Sequence, residues 1–422
     1  MSTSAVTPPK RKYDILIWGA TSFTGERLVE YLAANAPGDT RIAIGGRNQT
    51  KLEGVRARLS AKHLSVSSAI EAMDIVIGDS ADAARMHEIA SQTRVVASTV
   101  GPYARYGTNL VHACVDEMTD YCDITGEVPW VKQMHNELNG QAVNNNVHIA
   151  SLCGFDCIPA DLGCMMLAEH AREHFKKPLL HVKGSIVGIR TGFSGGTLAT
   201  IGEQVSAEAK GVLSSLIASH MSLTGAGKQF QKRGMIHYDK TLQRWQTYWL
   251  MSSVNSATAD WAGSVLEYGP DFEYEESMST RGLIHAVAIA LSLIYVAILA
   301  MFGFTFSALY ALKIFPKPGE GPSESFIQSG FFSLRLEAST ENHTFYGKVA
   351  GGSEPGYGET IKYLGESALC LAFDRDESFR PGVYPPSVIM GNALLRRLRN
   401  KDCVFKVSDE PIPSAKSSKK RV

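Results

Sequence analysis

YDILIWGATSFTG, residues 13–25, decides the fold. Residues 13–20 are a short apolar run ending in small residues, the pattern of a strand buried on both faces of a parallel sheet. The turn GATSFTG follows, and then GERLVEYLAANA, in which Leu28, Val29, Tyr31 and Leu32 make a helical stripe. Strand, glycine-bounded turn and helix in that order open a βαβ unit. The dinucleotide fingerprint at this place is G-x-G-x-x-G. Here the loop is G-x-x-S-x-x-G, with Ser22 where a middle glycine is common. Gly19 permits the tight turn, and the helix start at Phe23, Thr24 and Gly25 offers backbone N–H groups to a pyrophosphate. Thr21, Ser22 and Thr24 add hydroxyls. The competing reading is a capped βα turn with no ligand.

Working outward, strand-like runs recur at 41–47, 74–77, 94–100, 121–125 and 147–153, with helical stretches between them, one at about 50–60. Six alternations predict an α/β domain with a doubly wound, Rossmann-like parallel sheet over 13–155, after a flexible 1–12. The end of the second strand selects the cofactor. An NAD site carries Asp or Glu there, on the ribose 2′-hydroxyl. This chain has Gly46-Arg47-Asn48 and then Lys51. A guanidinium suits a 2′-phosphate, so NADP(H) is expected over NAD(H). The fourth strand runs out through Thr99, Val100, Gly101 and Pro102, which would pass the nicotinamide ribose, to Tyr103, which would wall the pocket.

Past residue 155 the rhythm changes. A helix is expected at 159–174, strand-like alternation at 181–190 and 331–348, and helices at 195–211 and 356–374. This is a second α+β domain, 156–412, read as the substrate and dimerisation domain, so a homodimer is an expectation. Helix 355–374 is a candidate to return to the first domain. The tail 413–422 is basic and expected to be disordered. Residues 283–312 contain no Asp, Glu, Lys or Arg. Such a run is long enough for a membrane span; a helix buried in the second domain is the alternative. Strand-like 331–348 needs a sheet to join, which favours insertion into one leaflet with both flanks on the cytosolic face, as a helix or hairpin.

Composition narrows the function. The 422 residues carry 42 Lys plus Arg and 42 Asp plus Glu, so nucleic acid is not expected as a partner. Seven cysteines with no C-x-x-C are neither a disulfide framework nor a zinc pattern. HAREH at 170–174 lacks the Glu of H-E-x-x-H, and no metal site is expected. The first dozen residues have no apolar core of a secretory signal, so the chain is expected to begin in the cytosol.

The motifs GATSFTG (19–25), GGR (45–47), TVGPYARYG (99–107), YCDITGE (121–127), GFDCIPADLG (154–163), SGGT (194–197), PKPGEGPSE (316–324) and PGYGETIKYLGESALCLA (355–372) occur in order over nearly the whole chain. With them the chain resembles the saccharopine dehydrogenase-like oxidoreductases, eukaryotic proteins associated with lipid droplets, and their bacterial relatives, the trans-acting enoyl reductases of glycolipid synthesis. Two positions depart from the family pattern: Ser22 replaces a glycine, and Cys157 a small hydroxyl residue. The resemblance implies reduction of a carbon–carbon double bond in a lipid-like substrate, at a membrane or lipid-droplet surface. It does not imply that this chain handles saccharopine.

Hydride transfer needs a proton donor or acceptor beside the reacting carbon. Tyr103, Asp123 and Asp156 are the candidates, with Glu127 beside Asp123. Each has a competing structural reading: Tyr103 as a wall, Asp123 and Glu127 as caps of the helix opened by Pro129, and Asp156 as a cap of the helix near Pro159. Ser194–Thr197 reads either as an anion site or as a glycine-rich helix start. A dinucleotide-binding membrane scaffold or sensor without turnover is the second functional reading.

Overall fold

A computed structural model describes residues 11–192, 235–301 and 321–412. The expected anion loop 194–197, the helix at 195–211, the end of the apolar segment at 302–312, residues 316–320 and the tail 413–422 lie outside the described residues. The chain divides into two units. The first runs to Gly154 and resumes over Ile361–Leu394; the second is Phe155–Thr360 with the chain from Leu395 onward.

The first unit holds the strands β1 (Tyr13–Trp18), β2 (Ile42–Gly46), β3 (Asp74–Ile77), β4 (Thr93–Ser98), β5 (Asp120–Asp123) and β6 (His148–Ala150). All pair in parallel, and β1 lies between β2 and β4. Every residue of β1 is buried, including Asp14, which the Arg41 guanidinium meets at 2.9 Å. The strand order reverses between β1 and β4, and in such sheets ligands bind outside the carboxyl ends at that reversal.

The second unit supplies β7 (His181–Arg190), β8 (Ile236–Asp239), β9 (Arg244–Tyr248), β10 (Glu273–Ser279), β11 (Phe331–Ser339) and β12 (Thr344–Gly351). The chain then adds β13 (Gly382–Tyr384) to the first sheet, parallel to β6, and β14 (Val404–Ser408) to the second, antiparallel to β12. The second sheet has the order β14-β12-β11-β7-β10-β9-β8, antiparallel except for the β7–β10 pair. On β11 apolar residues alternate with half-buried polar ones. The apolar side is covered by Ile158–His170, whose Gly163 lies so close to β11 that a Cβ would stand 2.8 Å from Leu336 Cδ1.

Five strands, β8, β9, β10, β13 and β14, escape the sequence pattern. β8, β9 and β10 are rich in Tyr, Glu, Ser and Gln and show no apolar alternation; β13 has three residues and depends on its neighbours. His135 Nδ1 lies 2.8 Å from Val383 O, and Val383 N donates to Asn139 Oδ1 at 2.9 Å. Arg375 ties the same returning segment to Asp120 Oδ2 (3.2 Å) and Asn146 O (2.7 Å). Helix Thr360–Phe373 also belongs mostly to this unit, where Tyr31 Oη donates to Glu366 Oε1 at 2.8 Å.

The apolar segment forms a helix at Leu283–Met301. It packs on β9 and β8 through small residues, with Ala286 and Ala290 buried. Its other side is open: Ile284 is 87% exposed, Leu291 60% and Tyr295 62%. Among the described residues, no helix is long and apolar enough to cross a membrane.

Candidate functional site

The loop between β1 and the first helix is built by contact with β4. Gly19 has φ +92°, a conformation that side chains resist, and a Cβ there would stand 2.6 Å from Val100 Cγ2. Gly25 has no room either, since its Cβ would fall 2.2 Å from Gly19 O. The two glycines therefore let the helix start lie directly on the end of the strand. Ser22 is the N-cap of helix Phe23–Asn35 and accepts from Gly25 N at 2.9 Å. The departure from the glycine pattern thus has a use, because a serine cap satisfies one helix-end donor. The Thr24 N–H has no acceptor among the described residues. Ser22 Oγ also lies 3.1 Å from Thr99 Oγ1, and Thr99 N donates to Trp18 O at 2.9 Å. Gly19, Thr21, Ser22, Phe23, Thr24, Gly25, Thr99 and Val100 are thus gathered at the sheet's reversal point.

Arg47, Asn48 and Lys51 stand at the neighbouring strand end, all exposed. Asn48 caps helix Gln49–Lys62 by accepting from Lys51 N at 2.9 Å. Arg47 makes no hydrogen bond or ion pair among the described residues. Gly101 and Pro102 are joined by a cis peptide and lead into the short helix Tyr103–Tyr106.

Tyr103 is not presented to a ligand. It is 5% exposed, its hydroxyl donates to Ser98 O at 3.2 Å, and its ring lies 5.7 Å from that of Trp130. Burial, with the charge of Asp123 next, holds its hydroxyl well above the usual tyrosine range. This geometry makes it a packing residue. Glu127 does not cap the helix that follows it. Its two oxygens instead accept from Tyr103 N and Ala104 N, each at 2.8 Å, and pin the loop after β4.

Asp123 is fully buried at the end of β5. Oδ1 accepts from Thr125 N (3.1 Å) and Leu152 N (3.2 Å), and Oδ2 from the Ser151 hydroxyl (3.3 Å). Burial pushes its carboxyl up to about 7 against those donors. The residue latches the end of β5 to the chain leaving β6, rather than the helix at Pro129.

Asp156 belongs to the second unit. The helix beginning at Ile158 has Cys157 at its N-cap and no side-chain cap bond, so Asp156 does not cap it. Its exposure is intermediate, and it makes no hydrogen bond among the described residues. Burial pushes its carboxyl up to about 6, with the charge of Glu354 adding to the shift. Around it stand two carboxyls that the sequence does not announce. Glu276 on β10 is buried, accepts from Asn255 Nδ2 at 2.5 Å, and is raised to about 7, chiefly by burial. Glu354 accepts from the Thr191 hydroxyl (2.6 Å), Gly192 N (3.0 Å) and Tyr357 N (2.7 Å). No motif could have flagged Glu276, whose partner Asn255 reaches it only through helix–sheet packing. Among the described residues, no group of three or more His, Cys, Asp or Glu could hold a metal ion.

The donor set between β1 and β4 suits a dinucleotide: glycines that admit close approach, a helix start with an open N–H, three hydroxyls and the nearby Arg47 guanidinium, which makes no ion pair among the described residues. No protein-family model matches the chain. A Mycobacterium tuberculosis protein described provisionally as a trans-acting enoyl reductase is 32% identical, covering 93% of this chain and 97% of that protein. The trans-acting enoyl reductase of Mycobacterium ulcerans is 31% identical over 92% of this chain and 96% of its own. Among solved structures, apo saccharopine dehydrogenase (L-Glu forming) of Saccharomyces cerevisiae has a TM-score of 0.51 at 12% identity, over 94% of this chain and 99% of that one, which is a likeness of fold. The chain thus belongs to the trans-acting enoyl reductase family and is an oxidoreductase.

Proposed function

We propose that the chain is a nicotinamide-dependent reductase, selective for NADP(H), that reduces a carbon–carbon double bond in a lipid-like substrate at a membrane or lipid-droplet surface. The observation that carries the cofactor half is the glycine-bounded helix start at the β1–β4 reversal, packed so closely on the strand that neither Gly19 nor Gly25 has room for a Cβ, with the Thr24 N–H left without an acceptor among the described residues. The Thr24 N–H and the hydroxyls of Thr21 and Ser22 would hold a pyrophosphate there. Arg47 and Lys51 would hold a 2′-phosphate; no acidic residue stands in the Gly46–Lys51 turn to prefer a free hydroxyl. Bound at this site, the reduced nucleotide supplies the hydride.

The chain's own contribution to proton movement falls to Asp156. Tyr103 and Asp123 are committed to hydrogen bonds inside the first unit, while Asp156 makes none among the described residues and burial pushes its carboxyl up to about 6, toward the range in which a general acid is effective. The exposed apolar side of helix Leu283–Met301 supports attachment to one leaflet, since an amphipathic helix buries such a face in the interface.

Titration of the purified chain with NADPH and NADH, followed by tryptophan fluorescence, tests the cofactor site. Arg47→Ala is expected to weaken NADPH about tenfold or more and to leave NADH unchanged, as loss of a charge-assisted bond implies. Failure to bind either nucleotide would overturn the reading. Lipid enoyl substrates and Asp156→Asn then test turnover: the variant should bind NADPH normally and lose kcat.

A further inference from the structure

The described residues expose twelve large apolar side chains, and eight of them lie between Met235 and Tyr295: five on helix Leu283–Met301 and three, Met235, Tyr238 and Leu250, on or beside the β8–β9 hairpin. Single exposed apolar residues are ordinary, but a concentration of them in one piece of the fold marks a contact surface. The helix and the hairpin are one piece. The helix packs on β9 and β8. Its start is tied to the head of β9, where Thr280 N and Thr280 Oγ1 both donate to Trp245 O, at 2.8 and 3.0 Å. Tyr238 on β8 is in register with Trp245, their rings meet edge-on with centroids 5.4 Å apart, and Tyr238 stays 48% exposed. Charge gathers at the same end: Lys240 in the turn, Arg244 at the head of β9 and Arg281 just before the helix. None of these three side chains makes an ion pair or hydrogen bond among the described residues. Asp239, the only acid from residue 235 to 250, accepts from Leu242 N at 2.7 Å and closes the turn. Three cations therefore stand against one anion at this end.

We propose that the β8–β9 hairpin is a second lipid contact of the chain, and that the surface it fits is an anionic phospholipid leaflet. The inference rests on the reading of helix Leu283–Met301 as a helix seated in one leaflet, and adds to it a neighbouring element and the charge of the lipid. Tyr and Trp rings, apolar in body and polar at the tip, suit the boundary between headgroups and acyl chains. The helix offers no selection by charge, because Leu283 to Tyr295 contains no Lys, Arg, Asp or Glu. Selection falls to Lys240, Arg244 and Arg281, and each cation held near an anionic bilayer strengthens binding about fivefold. A second copy of this chain fits the face less well. A two-fold contact sets a surface against itself, so these cations would meet their own kind.

The test is flotation of the full chain with phosphatidylcholine vesicles, with and without phosphatidylserine. The wild type should bind the phosphatidylserine vesicles more tightly, and the excess should shrink as salt is raised. Lys240→Gln with Arg244→Gln should keep its binding to phosphatidylcholine and weaken on phosphatidylserine by about tenfold or more. Lys240→Glu, at an exposed turn position, should act in the same direction without touching β9. Tyr238→Ser should weaken binding to both kinds of vesicle. If the hairpin variants float like the wild type while Ile284→Asp with Leu291→Asp does not float, the hairpin site is overturned and the helix contact stands. If the wild type floats with neither vesicle, the helix contact falls and this inference falls with it. A wild-type dimer in sedimentation velocity that the hairpin variants dissociate, with no change in their flotation, would assign the face to a second copy of the chain and overturn the lipid assignment.

Discussion

Gly25→Ala asks whether the first helix must lie directly on β1. The added Cβ would stand 2.2 Å from Gly19 O and 2.9 Å from both Gly19 C and Ala20 Cα, all backbone atoms. No rotamer change can relieve this, so the helix start must move off the strand by about 1 Å to reach an ordinary contact distance. That shift stretches the 2.9 Å bond from Gly25 N to Ser22 Oγ beyond hydrogen-bond range. Overpacking of this kind costs about 1–3 kcal/mol, and loss of a serine cap ~1 kcal/mol. Against this, alanine gains at most ~1 kcal/mol of helix propensity. The expected net loss is about 1–3 kcal/mol, together with a loss of NADPH affinity of about tenfold or more, because a helix end displaced by about 1 Å no longer meets the diphosphate. Urea unfolding followed by tryptophan fluorescence reads the stability, since Trp18 is buried on β1 beside the loop. A variant within about 0.5 kcal/mol of wild type, with unchanged NADPH affinity, would refute the claim that this contact positions the site.

Gly54→Ala is the opposite case: it lies inside helix Gln49–Lys62 with nothing within 4 Å of its Cβ position, so it should stabilise by about 0.5–1 kcal/mol in the same assay. Tyr103→Phe removes the hydroxyl and its bond to Ser98 O; it should cost ~1 kcal/mol of stability and leave kcat within a few-fold, whereas a collapse of kcat with normal folding would restore Tyr103 as a proton donor. Glu276 is raised from 4.5 to about 7, so the folded state holds its proton more tightly than the unfolded chain. Its contribution to stability is fully present below about pH 4.5 and is lost as pH rises through about 7. Glu276→Gln should flatten that part of the pH dependence of the urea midpoint; an unchanged slope would count against it. Ile284→Asp with Leu291→Asp should leave stability and NADPH binding intact and abolish flotation with phospholipid vesicles, and vesicle binding that survives both changes would remove the helix face as the lipid contact.

The first sheet was legible because its signals are local. A mostly apolar run such as Tyr13–Trp18, broken only by Asp14, and a glycine-bounded turn need no distant partner to be recognised. Strand ends shifted by a residue or two: the run at 121–125 is observed as Asp120–Asp123, where Asp123 turns inward to hold the chain leaving β6. The roles of polar side chains were less legible, because a carboxylate's task depends on which N–H it meets. Glu127 reads as a cap of its own helix, yet serves the one at Tyr103. Asp156 reads as a cap and makes no such bond. Strands β8, β9 and β10 carry Glu, Gln and Tyr on partly covered faces, so their pattern is set by tertiary neighbours such as Asn255.

The path of the backbone has a consequence for biosynthesis. A nascent chain that has reached Gly154 carries six strands of the nucleotide sheet, but β13 and helix Thr360–Phe373 have not yet been made. At about 5–20 residues per second, roughly 10–50 s pass before Tyr384 is translated. During that interval the β6 edge stays uncovered while the whole of Phe155–Thr360 emerges and begins to fold. An uncovered strand edge is a template for wrong partners. A chaperone that shields that edge, or a pause in translation near residue 360, would therefore influence the yield of native protein more than one acting on the finished chain.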